Sequence, residues 1–245
     1  MPATTTQLKA KSSGTTEKGL GRAQDILHAA RALLAAEGYA GLSMRKVASH
    51  LGVGAMSLYT YVPGRSELVE LMIDRAYGEQ QLPDPAQGWR ARVESHSQGV
   101  WRLYQAHPWL LDHNLTRLPV GPNVLDSEES LYAAIAAAGV PPSRIVAIYN
   151  VITWHVFGMA RAQISDAEEA RHTGVSAEAY WMARNSFWAT YFDPERYPNI
   201  SAIWEAGGFD DPDTADFDKM LTRLLDAIEL LIRPRDARTD PRDGE

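Results

Sequence analysis

Residues 43–62 read SMRKVASHLGVGAMSLYTYV, and the spacing inside this stretch decides the fold. Val47, Leu51, Val53, Leu58 and Val62 recur at separations that put them on the inner sides of two short helices. Ala48 is small where those helices must cross closely, and Gly52 permits the backbone turn between them. Ser43 offers the hydroxyl that caps the first helix, and Pro63 with Gly64 breaks the second. The pattern is a helix-turn-helix.

Working outward, Ile26, Ala30, Leu33 and Leu34 repeat at helical spacing between Arg22 and Glu37, and Gly38 stops the run. Residues 1–20 are Thr, Ser, Lys and Gly with almost nothing to bury, which predicts a disordered tail. Residues 21–66 thus form a three-helix head. Ser66 is placed to cap a fourth, connecting helix within residues 67–82, running from Glu67 to about Gln80 and closed by Pro83 and Pro85. Further helical segments are expected near 86–106, 108–118, 127–138, 143–165, 176–191, 200–206 and 215–233, with loops at 166–175 and 192–214. No stretch alternates like a strand, and residues 235–245 are a charged, loose tail. The fold class is all-α: a small N-terminal head and a larger helical body over 83–234.

Charge divides along the same boundary. The chain carries net −7, which taken whole argues against nucleic acid. Yet up to Ser66 there are eight Lys and Arg against three acids, a balance of +5, while the remainder carries −12. A basic head on an acidic body is expected when one end touches DNA and the other has a second task.

The outward positions of the second helix of the pair are Gly54, Ala55, Met56, Ser57, Tyr59, Thr60 and Tyr61. They present hydroxyls, methyls and rings, groups that meet thymine methyls, base edges and phosphates in a major groove. Arg45 and Lys46 occupy a first helical turn, where the macrodipole favours acids, so an anion such as phosphate is expected to compensate. Arg65, ahead of the Ser66 cap, is expected to reach the same backbone. The plainer reading makes these basic residues solvated surface charges, and gives one of Tyr59 and Tyr61 the task of covering the small core.

With GYAGLSMRKVASHLGVGAMSLYTYVPGRSELVELM in view, the segment from about Arg22 to Ala76 resembles the DNA-binding domain of the tetracycline-repressor (TetR) family. That resemblance implies DNA contacts for Arg45, Ser57, Tyr59, Thr60, Tyr61 and Arg65, and operator choice tuned by Gly54, Ala55 and Met56. It also implies a C-terminal ligand-binding and dimerisation domain, in which two helices from each subunit build the interface. The body resembles the tetracycline-repressor layout through Pro108–Leu118 and VITWHVFGMARAQ. Where magnesium–tetracycline members carry an acid after the aligned Gly158, this chain has Met159, Ala160, Arg161 and Ala162, so no such metal site is expected. Arg161 is left to meet an anionic ligand or a surface acid.

In the body, Phe217, Leu221, Leu224, Ile228 and Leu231 alternate at four and three, widened by Leu225 and Ile232, and the helix at 143–165 is apolar nearly all round. Ile148, Ile152, Leu221, Leu224, Leu225 and Ile228 are the candidate interface of a homodimer, although a single-chain core also accounts for such a stripe. All seven tryptophans follow the head. Trp101, Tyr104, Trp109, His113, Trp154, His155, Phe157, Trp181 and Trp188 are the candidate wall of a ligand cavity, each equally suited to core packing.

Cysteine is absent, which removes disulfides and thiolate chemistry. The apolar run Ile145–Ala160 is interrupted by Asn150, Thr153 and His155, and the polar N-terminus lacks a signal-peptide core, so a cytoplasmic protein with no membrane partner is expected. Asp210, Asp211, Asp213, Asp216 and Asp218 lack the glycine and glutamate spacing of a calcium loop and read as a solvated loop with a helix cap. No catalytic or phosphate-binding motif is present, which predicts no enzyme and no cofactor. Three readings follow: a homodimeric repressor of palindromic operator DNA released by a small hydrophobic or aromatic effector, an activator of the same class, or a helical binder or enzyme whose head no longer meets DNA.

Overall fold

The computed structural model describes residues 16–112 and 119–232, all helical or irregular and without a strand. Two compact units emerge, with the division after Arg75 and again at Gly121. The first division therefore falls inside a helix.

In the first unit, α1 (Thr16–Gly41) starts inside the stretch expected to be a disordered tail, whose residues 1–15 lie outside the described residues, and it is broken at Gly38 as expected. Helix α2 (Met44–His50) is capped by Ser43, whose Oγ accepts from the Lys46 amide at 3.3 Å. Gly52 holds φ 67, a left-handed conformation that side-chain-bearing residues resist, and so turns the chain into α3 (Ala55–Tyr59). Val47, Leu58 and Val62 are buried, as are Ile26, Ala30 and Leu34 of α1, while Leu51 and Val53 are half-buried. Helix α4 (Arg65–Tyr77) begins at Arg65, so Ser66 lies within it and is not its cap.

The second unit is built on α5 (Trp89–Ala106), α6 (Pro122–Ala137), α7 (Pro142–Thr173) and α11 (Phe217–Ile232). Their shared core includes Val93, Leu103, Leu131, Ile135, Ile152, Val156, Leu221 and Leu225. Arg90 pins α5 to α11, donating to Asp226 at 2.7 Å and Glu229 at 3.2 Å while holding Glu94 at 3.2 Å. A 3₁₀ turn at Pro108–Asp112 replaces the first part of the helix expected over 108–118, and the rest of that segment lies outside the described residues.

Helix α7 runs to Thr173, eight residues past its apolar stretch, through the segment expected to be a loop. Ala, Glu and Arg in 166–173 are good helix formers that need no buried face, and left-handed Gly174 closes the helix. The segment expected as one helix over 176–191 is two, α8 (Ala177–Met182) and α9 (Asn185–Tyr191), with no breaker residue at the junction; α10 (Pro198–Glu205) follows. From 176 to 209 no described side chain is buried.

Candidate functional site

Helix α3 rides on a small, tightly filled core and turns a row of short side chains outward. Met56 is 79% exposed, Tyr59 46% and Tyr61 40%, so neither tyrosine is spent on covering the core. Ser57 and Gly54 are exposed beside them and Ala55 is half-buried. The Thr60 hydroxyl donates to the Ser57 carbonyl at 2.7 Å, which leaves its lone pairs and methyl outward. This surface carries no charge of its own, so it suits base edges and thymine methyls more than phosphates.

The basic residues divide into two kinds. Arg45 is exposed on α2, whereas Lys46 is paired with Glu37 of α1, both about half exposed. Arg65 departs from the expectation that it grips phosphate: Nε donates to the Leu42 carbonyl and Nη2 to the Tyr39 carbonyl, each at 2.9 Å. Its guanidinium also lies 4.6 Å from the Tyr39 ring centre. Two charge-assisted hydrogen bonds and a ring contact commit the fork inward, so Arg65 positions the start of α4 against the end of α1 and is not a projecting hand.

The rings expected to form one cavity wall do not lie together. Tyr104, 1% exposed, meets Phe157 edge-on with centroids 6.1 Å apart. Trp101 instead stacks on Phe217 at 4.2 Å, beside a surface cleft of about 580 Å³ bordered by Gln98, Arg102, Gln163 and Asp216. Trp109 packs edge-on against His107, whose Nε2 is 2.8 Å from Glu79. Trp154, Trp181 and Trp188 are exposed, which corrects their placement in a wall within one chain; the last two face each other at 6.4 Å in the uncovered segment. His113 lies outside the described residues. Arg161 resolves its alternative, donating to the Leu111 carbonyl at 2.8 Å and pairing with Asp112 at 3.3 Å.

Among the polar residues of α5 the sequence reading singled out Tyr104 alone, and the structure adds His96 and Ser97. His96, Ser97 and Tyr104 are buried on the face that also carries Val93, Val100 and Leu103. Burial brings the His96 imidazole down to about 4 and the Tyr104 phenol up to about 12, so both are neutral near pH 7. His155 on α7 is half-buried and its imidazole is lowered by the same cause. Gln80, just past α4, accepts from Ser127 at 2.7 Å and touches the His96 carbonyl. The signal available in the sequence was the position of His96 and Ser97 about two helical turns before Tyr104 along an otherwise apolar face.

The candidate dimer residues also need correcting. Ile152, Leu221, Leu225 and Ile228 are buried in the chain's own core, and Ile148 and Leu224 are half-buried. Elsewhere on the same two helices Val146, Val151, Trp154, Leu230 and Leu231 are exposed. The Asp-rich loop folds on itself: Asp211 and Asp216 accept from the amides of Asp213 and Lys219, and Asp213 pairs with Lys219 and Arg223.

A helix-turn-helix with an outward row on its second helix, joined to a separate helical body, defines a DNA-binding regulator. Residues 26–72 match the bacterial regulatory proteins of the tetR family, and residues 82–232 match the tetracyclin repressor-like C-terminal domain. The chain belongs to the TetR family and is a DNA-binding transcriptional repressor of that type. It is 36% identical to the HTH-type transcriptional repressor DrrR1 of Streptomyces coeruleorubidus, over 88% of this chain and 80% of that one. It is 26% identical, over 88% and 83%, to the HTH-type transcriptional repressor Rv1353c of Mycobacterium tuberculosis. The structure superposes on ActR of Streptomyces coelicolor in complex with actinorhodin with TM-score 0.72 and 25% identity, covering 88% of this chain and 98% of that one.

Proposed function

We propose that this chain is a homodimeric repressor that binds a palindromic operator through two copies of α3 and leaves it when a small effector occupies the body. The observation that carries the reading is the uncharged, outward row of Met56, Ser57, Tyr59, Thr60 and Tyr61 on a helix too short to stand without the head's core. Gly54 and Ala55 open that row, Arg45 supplies a phosphate contact, and Lys46 contributes one when it leaves Glu37. Because single heads with so few charges bind weakly, a second head one DNA turn away multiplies the affinity.

Support for the dimer comes from apolar surface that one chain leaves in water. Among the described residues α7 is the one helix long and apolar enough to cross a bilayer. In the dimer its Val151 and Trp154 face, with Leu230 and Leu231 of α11, packs against the partner's equivalents, so no membrane is needed. Support for an effector comes from the ActR complex, a protein of the same fold holding a small molecule. Such a repressor acts in the cytoplasm, where its operator lies, and catalyses no reaction.

Gel shift with the chain's own upstream intergenic DNA tests the reading. Salt-sensitive, palindrome-selective binding at two protomers per site is the expected result. Binding that ignores the palindrome, or none, defeats it.

A further inference from the structure

The chain passes from the first unit to the second within α4, after Arg75, and the residues that follow are held by different parts of the body. Ala76 and Tyr77 are buried. Gly78 lies against Asn123 of α6, where a Cβ would meet the amide side chain at 3.0 Å. The Glu79 carboxylate is 2.8 Å from Nε2 of buried His107, at the end of α5. Gln80 accepts from the buried Ser127 hydroxyl of α6 at 2.7 Å, and its Nε2 donates to the His96 carbonyl of α5 at 3.4 Å. The same side chain lies over Gly99, where a Cβ would come within 3.1 Å of Nε2.

We propose that Glu79 and Gln80 are positioning residues that hold the body end of α4 and so set the operator half-site spacing that the two heads accept. The inference rests on the dimeric repressor reading above and names the residues that fix its geometry.

A helix tied at one point swivels about it. His96 and His107 are eleven residues apart on α5, about 16 Å along its axis, and Asn123 and Ser127 add two holds on α6. Ties in two directions fix the tilt of α4 as well as its place. The tilt matters because α4 has 13 residues and so is about 20 Å long. Turning it by about 10° about its body end moves Arg65, where it leaves the head, by about 3.4 Å, the rise of one base pair. A palindrome reader gains from its second head only when both heads meet their half-sites together, so a displacement of that size is felt as lost affinity. Glu79 and Gln80 spend their polar groups on the body, and they act on DNA through α4 alone.

The test uses the full chain and duplexes carrying the palindrome from its own upstream intergenic DNA, with the centre shortened or lengthened by one and two base pairs. The parent should lose about tenfold or more in affinity for each base pair of change. In Gln80→Ala, and in Gln80→Ala combined with Glu79→Ala, that loss should shrink to about threefold or less, with affinity for a random duplex and its salt slope unchanged. Ile152→Ala, a core variant on α7, controls for lost stability and should keep the parent's spacing preference although it melts lower. Because the chain has no cysteine, Ala36→Cys on the exposed surface of α1 gives one spin label per head. The distance distribution between the two labels of the DNA-free dimer should broaden in the double variant. An unchanged spacing preference or an unchanged distance distribution in the double variant overturns the proposal, and so does the same relaxation of spacing in Ile152→Ala. A parent chain that binds no palindrome defeats the repressor reading and this proposal with it. A parent that binds one, while the variants keep its spacing preference, defeats this proposal alone.

Discussion

Arg65 Nε donates to the carbonyl of Leu42 at 2.9 Å, a bond that reaches back twenty-three residues and closes the head on itself. With the second bond to Tyr39 it satisfies two carbonyls where α1 ends and α2 is about to start. The Tyr39 carbonyl also accepts from the Leu42 amide at 3.4 Å, so Arg65 gives it a second bond.

Arg65→Ala is therefore expected to destabilise the head by roughly 1–3 kcal/mol, and Arg65→Lys to recover only part of that, because an ammonium cannot serve both carbonyls with the geometry of a fork. Urea unfolding of the two variants measures the loss. The salt dependence of operator binding should keep its slope in Arg65→Ala. A slope reduced by about one unit would return Arg65 to the phosphate backbone and remove the positioning role.

Arg45 and Tyr59 separate the two kinds of contact that the head makes. Arg45 is exposed, so Arg45→Ala should weaken all DNA sequences alike and lower the slope of log affinity against log salt by about one unit per head. Tyr59→Phe removes a hydroxyl and no charge. It should leave the slope unchanged and narrow the gap between operator and random DNA. Equal loss on both DNAs in Tyr59→Phe would place that hydroxyl on phosphate.

Much of this head was legible because its determinants are local. Ser43, Gly52 and the Val47, Leu58 and Val62 spacing act within a turn or two of themselves, and the structure places each as the spacing predicts. Arg65 was not legible, since a guanidinium before a helix has the same sequence whether it faces phosphate or a carbonyl twenty-three residues away. The body was read less well for a related reason. Helix α11 carries one broad apolar stripe, and period alone does not say that Leu221, Leu225 and Ile228 in it are covered while Leu231 is left exposed. Trp154, Trp181 and Trp188 look like pocket residues by type, yet whether a ring is covered depends on what packs over it. Helix α7 outran its apolar stretch because Ala, Glu and Arg sustain a helix without burying anything.

Stability should respond to pH through His96. Its imidazole is held to about 4 when folded against an ordinary value of 6.5, because burial disfavours the charged form. Between those values the unfolded chain binds the proton and the folded chain does not, so stability rises with pH. Full stability is present above about pH 6.5 and is lost progressively as pH falls toward 4, by on the order of 3 kcal/mol. Denaturant midpoints across pH 4–7 measure the slope. His96→Leu should flatten this window relative to the parent, and an identical pH profile in the variant would assign the loss to other groups.

The exposed and the buried apolar residues of α7 and α11 make opposite predictions for oligomeric state and for folding. Val151 and Leu231 are exposed at 46% and 67%, so a carboxylate at either site costs the single chain little. In a dimer the same carboxylate is buried against apolar side chains without a partner. Val151→Glu and Leu231→Glu should thus yield folded monomers by sedimentation, with operator affinity down at least about a hundredfold because the second head is lost. Ile152, 1% exposed and one residue from Val151, does the reverse. Ile152→Ala opens a hole in the chain's own core and should cost about 2–5 kcal/mol of stability, with a dimer still present below the melting transition. If Ile152→Ala instead separates the subunits while Val151→Glu leaves them together, the interface lies elsewhere and the exposed faces of α7 and α11 need another cover.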